Sequence, residues 1–95
     1  MIEIMSFRLV PGTDEDAFLA ADRLLQSDFA YQQPGLLRRT TARSGDGDWI
    51  VIDLWRSVDD ADAVAALWGR DPVTAGFMSF VDGDSLRVVR YSTLD

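Results

Sequence analysis

The chain has 95 residues, 16 acidic and nine basic, with a formal net charge of −7; every basic residue is arginine, and lysine, histidine, cysteine and asparagine are all missing. One domain over residues 1–95 is expected, burying only about 60–65% of its unfolded surface by itself. The composition excludes disulfides, thiolate metal sites and thiol or imidazole catalysis, and its acidity without a lysine stripe argues against nucleic acid and anionic membranes as partners.

In chain order, Ile2 to Val10 is apolar on both faces, as expected of a central strand, and Pro11-Gly12 ends it. Thr13 is the expected N-cap of a helix whose first turn holds Asp14, Glu15 and Asp16, with Phe18, Ala21, Leu25 and Phe29 as its apolar stripe. Gln32-Gln33 and Pro34-Gly35 form a polar loop and turn, and Leu36 to Ser44 is the next strand. Gly45-Asp46-Gly47 is a short hairpin loop leading into Asp48 to Arg56, the most strand-like run of the chain. Ser57 caps a second helix with Ala61, Val64, Ala65 and Trp68 on one face, and Gly69 stops it. Asp71-Pro72 opens a short helix to about Phe80, Asp82-Gly83-Asp84 turns, and Leu86 to Thr93 is the last strand. The order β-α-β-β-α-β, with short links and right-handed crossovers, predicts an α+β, ferredoxin-like fold.

No window approaches the ~20 apolar residues of a membrane span. The opening MIEIMSFRLV carries Glu3 and no basic stretch before its apolar residues, which reads against a signal peptide and makes a cytoplasmic protein the expectation. Trp49-Ile50-Val51-Ile52-Asp53-Leu54-Trp55 is apolar on both faces, with Ile50, Ile52 and Leu54 on one and Trp49, Val51 and Trp55 on the other. Helices cover only one face of a four-stranded sheet, so a second copy packed sheet to sheet is expected, giving a homodimer.

A strand ending in Pro-Gly, then PGLLRRTTAR, then DWIVIDLWRS running into DDADAV, resembles the antibiotic-biosynthesis-monooxygenase-type domain of the dimeric α+β barrel superfamily. The best-defined piece is Trp55-x-Ser57 followed by Asp60-Ala61. The resemblance implies a homodimeric barrel and one of several roles: cofactor-free oxygenation of polyketide anthrones, haem degradation, or a small protein without known chemistry. Haem-degrading relatives use an Asn on the first strand and a His after the second helix, positions held here by Phe7 and Phe77. Without histidine, that axial ligation is impossible. The anthrone oxygenases use a Trp on the third strand, which corresponds to Trp55, and an Asn earlier on the same face, which falls at Val51.

The expectation is therefore a cofactor-independent monooxygenase-like protein acting on a small aromatic or polyketide-type substrate, with no cofactor or metal. The alternative is a non-catalytic ligand-binding or scaffold homodimer of the same fold. Chemistry would fall to Asp53, Arg39 and Trp55, with Arg90, Tyr31 and Tyr91 as further polar candidates. A three-residue loop makes opposed positions on the hairpin sum to a constant, so Arg39 faces Asp53, Arg43 faces Trp49 and Leu37 faces Trp55. Asp53 is then either a paired structural carboxylate, at the sheet face or the dimer interface, or a catalytic base; the structural reading is preferred. Phe18, Phe29, Tyr31, Trp68, Phe77 and Phe80, together with Trp55, either line a substrate pocket between helices and sheet or make a plain core. Arg38-Arg39 is expected to place one side chain on each face of an edge strand. The acidic groups Asp14-Glu15-Asp16 and Asp59-Asp60-Asp62 follow from helix dipoles, and Asp82-x-Asp84 lacks the ligands of a calcium loop.

Overall fold

The structure, a computed structural model, describes residues 1–95. Four strands, β1 (Ile2–Phe7), β2 (Leu36–Arg43), β3 (Trp49–Trp55) and β4 (Arg87–Tyr91), form one antiparallel sheet in the order β2-β3-β1-β4. Helices α1 (Glu15–Asp28), α2 (Val58–Leu67) and α3 (Pro72–Met78) cover one face. This is the ferredoxin-like arrangement expected from the order of elements.

Local chemistry sets the ends of these elements. The α1 cap is Asp14, whose side chain accepts from Asp16 N, rather than Thr13, whose hydroxyl donates back to Val10 O and closes the preceding turn. Ser57 caps α2 through Asp60 N, and Asp71 caps α3 through Val73 N with Pro72 at its first position. Gly69, at φ 83°, follows the Trp68 cap and ends α2 in the left-handed region that glycine tolerates. The shift of the first cap by one residue shows that aspartate and threonine compete for this role by geometry, not by type.

The hairpin β2–β3 turns through Gly45-Asp46-Gly47. Gly47 N donates to Ser44 O, Gly47 sits at φ 83°, and Ser44 N donates to Asp48 O. That three-residue turn with a left-handed glycine fixes the register. Arg39 faces Asp53 and Arg43 faces Trp49, as the loop length requires. The register slips between Leu36 and Arg38, so Leu36 and not Leu37 pairs with Trp55. Leu37 is the extra residue of a bulge and is 59% exposed.

The helix-covered face carries Trp49, Val51, Asp53 and Trp55 from β3, opposed by Phe7, Met5 and Glu3 from β1. Phe7, Phe18, Trp49 and Phe77 interlock edge to face, with centroids 4.9 to 5.9 Å apart for the Phe18–Trp49, Phe7–Phe18 and Phe7–Phe77 pairs. A second cluster, Phe29, Trp55, Ala61 and Val64, occupies the other end. The open face carries Ile2, Ile4, Ile50, Ile52 and Leu54, all half-buried, and the exposed Val89 and Tyr91.

Candidate functional site

Between α2, α3 and the sheet lies a cavity of about 620 Å³. Trp55, Ala61, Val64, Ala65, Trp68 and Met78 supply much of its apolar wall, while Asp53, Glu3 and Arg90 are its charged residues. α2 arrives here because the Trp55-x-Ser57 corner is tied down. Asp60 accepts from Ser57 Oγ at 2.8 Å and from Arg56 Nε and Nη2 at 3.0 and 3.1 Å. Hydrogen bonds from Arg56 and Ser57 hold the Asp60 carboxyl below its usual range. Gly35, at φ +87°, leaves room for that carboxylate; a Cβ there would stand 2.3 Å from Asp60 Oδ2. The Trp-x-Ser and Asp-Ala residues thus aim a helix of small side chains, Ala61, Val64 and Ala65, over Trp55.

Four charged residues cross the whole sheet in one row on the helix side. Arg39 on β2 faces Asp53 on β3, Asp53 faces Glu3 on β1, and Glu3 faces Arg90 on β4. The backbone decides how close each pair stands. Met1 and Trp55 exchange hydrogen bonds at 3.0 and 2.8 Å, so Glu3–Asp53, two residues on, is also a hydrogen-bonded pair. The Arg39 N–H and C=O instead turn outward to the Tyr31 hydroxyl, at 2.9 and 3.3 Å. Arg39–Asp53 is therefore a non-hydrogen-bonded pair, and by the same alternation so is Glu3–Arg90. Opposite charges occupy the closer pairs, with Cα atoms about 4.5 Å apart, and like charges the wider one, at about 5.5 Å.

Neither guanidinium donates a hydrogen bond to Asp53. Arg39, 5% exposed, donates to Asp22 Oδ1 at 2.7 Å and to Gln26 Oε1 at 3.2 Å, and its guanidinium lies 5.8 Å from the centre of the Phe77 ring. Its Nε is 3.9 Å from Asp53 Oδ1, an ion pair without a hydrogen bond. Arg90 donates to Glu3 at 2.7 Å and to Asp62 on α2 at 2.6 Å, and these two bonds hold its guanidinium firmly protonated. Asp53 Oδ1 is sealed from solvent and accepts nothing. Burial pushes the Asp53 carboxyl up to about 6; Arg39 opposes this, and the negative charges of Glu3 and Asp22 add to it. Trp55, 4% exposed, has an Nε1 with no acceptor. Asp53 and Trp55 thus line one largely apolar cavity, with Oδ1 and Nε1 themselves sealed from solvent.

Asp53, Trp55 and Trp68 come together at the cavity as the sequence suggested. The other aromatics stand elsewhere. Phe18 and Phe77 are fully enclosed in the filled end, Phe80 packs against them, and Phe29 lies under α2 against Trp68. Tyr31 is largely exposed and pins the outer edge of β2. Asp53 lies on the helix-covered side of the sheet and not on the open face, as the strand alternation dictates. Asp22 and Glu3 were missed. Asp22 had a signal: it falls on the Phe18–Leu25 stripe of α1, where a carboxylate requires a buried cation.

No family model and no curated protein sequence matches the chain. Its fold matches that of SnoaB, a cofactor-independent oxygenase from Streptomyces nogalater, with a TM-score of 0.80 at 17% identity, covering 99% of this chain and 92% of that one. A protein from Nitrosomonas europaea, named provisionally as an antibiotic biosynthesis monooxygenase, matches with a TM-score of 0.73 at 16% identity, covering 99% and 98%. One from Caulobacter crescentus, named in the same way, matches with a TM-score of 0.77 at 16% identity, covering 99% and 89%.

Proposed function

We propose, from the premise that this chain is an antibiotic-biosynthesis-monooxygenase-type domain by fold, that it oxygenates a small aromatic or polyketide-type substrate without a cofactor. The observation that carries the reading is Asp53, a half-buried carboxylate without a hydrogen-bond donor, raised to about 6, on the wall of a largely apolar cavity. A base tuned toward neutral pH accepts a proton from a phenol or anthrone held against the cavity's largely apolar wall. The Trp55 indole lines the same cavity, where it can pack against the aromatic body of the substrate. The electron-rich anion then reduces dioxygen; one oxygen atom enters the substrate as a carbonyl and the other leaves as water. Arg39 acts through position, locked on Asp22 and limiting how far the Asp53 carboxyl rises.

Oxygen uptake with a panel of anthrones and hydroquinones, with no cofactor added, tests the reading. Turnover that Asp53→Asn abolishes while the fold is kept supports it. Turnover unchanged in Asp53→Asn, or no uptake across the panel, overturns it.

The second reading, a non-catalytic ligand-binding protein of the same fold, is favoured by one observation. Val51, at the position of the asparagine in the oxygenases this chain resembles, is enclosed in the packed end and lines no part of the cavity. In both readings the aliphatic open face of Ile2, Ile4, Ile50, Ile52 and Leu54 is covered by a second copy, making a homodimeric barrel. Light scattering at micromolar concentration should then give twice the 10.6 kDa chain mass. A monomer removes the dimer from both readings.

A further inference from the structure

The charge balance around the cavity assigns a ligand class that oxygen chemistry by itself does not. Four carboxylates, Asp22, Asp53, Glu3 and Asp62, stand against two guanidiniums, Arg39 and Arg90. Asp22 and Gln26 hold Arg39; Glu3 and Asp62 hold Arg90. These bonds use the carboxylates of α1, α2 and β1 and leave one over: Asp53, which accepts no hydrogen bond and has only a 3.9 Å approach from Arg39. α3 supplies no charge to the cavity wall, only Met78. The surplus carboxylate sits beside two indoles, Trp55 and Trp68, and the Trp55 N–H is also unpaired at 4% exposure. An anion entering here would meet the surplus charge and find no free cation. A neutral molecule would leave the charge uncompensated. A cation with an apolar body satisfies both walls, one by a charge-assisted hydrogen bond and the other by contact with aromatic faces.

We propose that the cavity selects an aromatic ligand bearing a protonated amine, with Asp53 as the residue that receives the ammonium group. The proposal rests on the cavity being the ligand site, as in the proposed function, and not on oxygen reacting there. Glu3 also lines the cavity but is bonded to Arg90; it opposes Asp53 directly and adds negative potential there.

Calorimetry with three probes of nearly equal shape, naphthylmethylamine, naphthylmethanol and naphthoate, separates the charge states. At pH 7.5 the amine is expected to bind about tenfold or more tightly than the alcohol, the worth of one hydrogen bond to a charged group, with naphthoate weakest. In Asp53→Asn the amine and alcohol should bind within about twofold of each other, and retained alcohol binding shows that the variant is folded. In Glu3→Gln the amine preference should fall only a few-fold. Lowering the pH to 5 should erase the amine preference, because Asp53, raised to about 6, is then protonated, while alcohol binding stays level. Naphthoate binding as tightly as the amine, an amine preference that survives in Asp53→Asn, or no amine binding at millimolar concentration overturns the proposal. Amine selection without oxygen uptake overturns oxygenation alone, and oxygen uptake without amine selection overturns this inference alone.

Discussion

The space between helices and sheet has two ends that differ in filling rather than in fold. At one end Phe7, Phe18, Trp49 and Phe77 meet edge to face in a packed cluster. At the other, α2 presents Ala61, Val64 and Ala65, the sheet presents Asp53 and Glu3, and about 620 Å³ stays open. The same two layers thus make a solid core where aromatic rings face aromatic rings and a cavity where small residues face carboxylates. The difference teaches that one sheet can carry a packed end and an open end under the same layer of helices.

The largest expected effect breaks the filled end. Phe18→Ala removes a fully enclosed ring at the centre of four aromatic contacts and should cost about 3–5 kcal/mol in urea denaturation. Met78→Ala, on the cavity wall, removes a half-buried side chain that already faces open space and should cost less than about 2 kcal/mol. Equal costs would break the comparison.

Arg39 joins the two ends, since Asp22 lies under α1 and Asp53 lines the cavity. Arg39→Met strands Asp22 and should cost about 3 kcal/mol. Adding Asp22→Leu to it should recover most of that loss, because no buried charge then remains unpaired beside α1. A double variant as unstable as the single one would place the loss in packing instead.

The open end should show itself in pH dependence. The unfolded Asp53 carboxyl loses its proton near 3.8 and the folded one near 6, so the native state binds more protons between these values. Its contribution to stability is therefore fully present below the unfolded value and is lost as pH rises through 6, by about 3 kcal/mol in all. Asp60 has the opposite sign, its contribution present above its unfolded value and lost as pH falls, so the Asp53 effect is read as a difference. Asp53→Asn should gain on the wild type by about that 3 kcal/mol between pH 3.5 and pH 7.5. A difference that is flat with pH would mean that Asp53 is solvated.

The smallest effect on stability sharpens the comparison most. Ala65→Phe places a ring in the cavity from an exposed helix position and should change stability by no more than about 0.5–1 kcal/mol. It should abolish the thermal shift given by naphthylmethylamine. A ligand shift retained in that variant would put the binding site elsewhere.

Much of the fold was legible in the residues themselves. Gly45-Asp46-Gly47 sets a three-residue turn, and the turn sets Arg39 against Asp53, because hairpin register follows from loop length and a left-handed glycine. Ser57, Asp71-Pro72 and Gly69 mark helix ends because capping is settled within a few residues. The candidate site was legible only in part. Asp53 and Trp55 stood out as a carboxylate and an indole inside a strand, and Trp68 as the last residue of a helix face. Leu37 could not be recognised as a bulge, since a slip in pairing depends on what the partner strand offers.

The sequence by itself determined the order of elements, the hairpin register from Arg39 to Arg43 and the alternation of faces along β3, because all of these follow from short-range backbone geometry. Only the tertiary structure decided that Arg39 belongs to Asp22, 17 positions away, that Glu3 and Arg90 complete a row begun by Arg39 and Asp53, and that one end of the layer stays open. These depend on which charges and volumes meet from β1, β4, α1 and α2, elements far apart in the chain. Packing settles such meetings only after every element is in place.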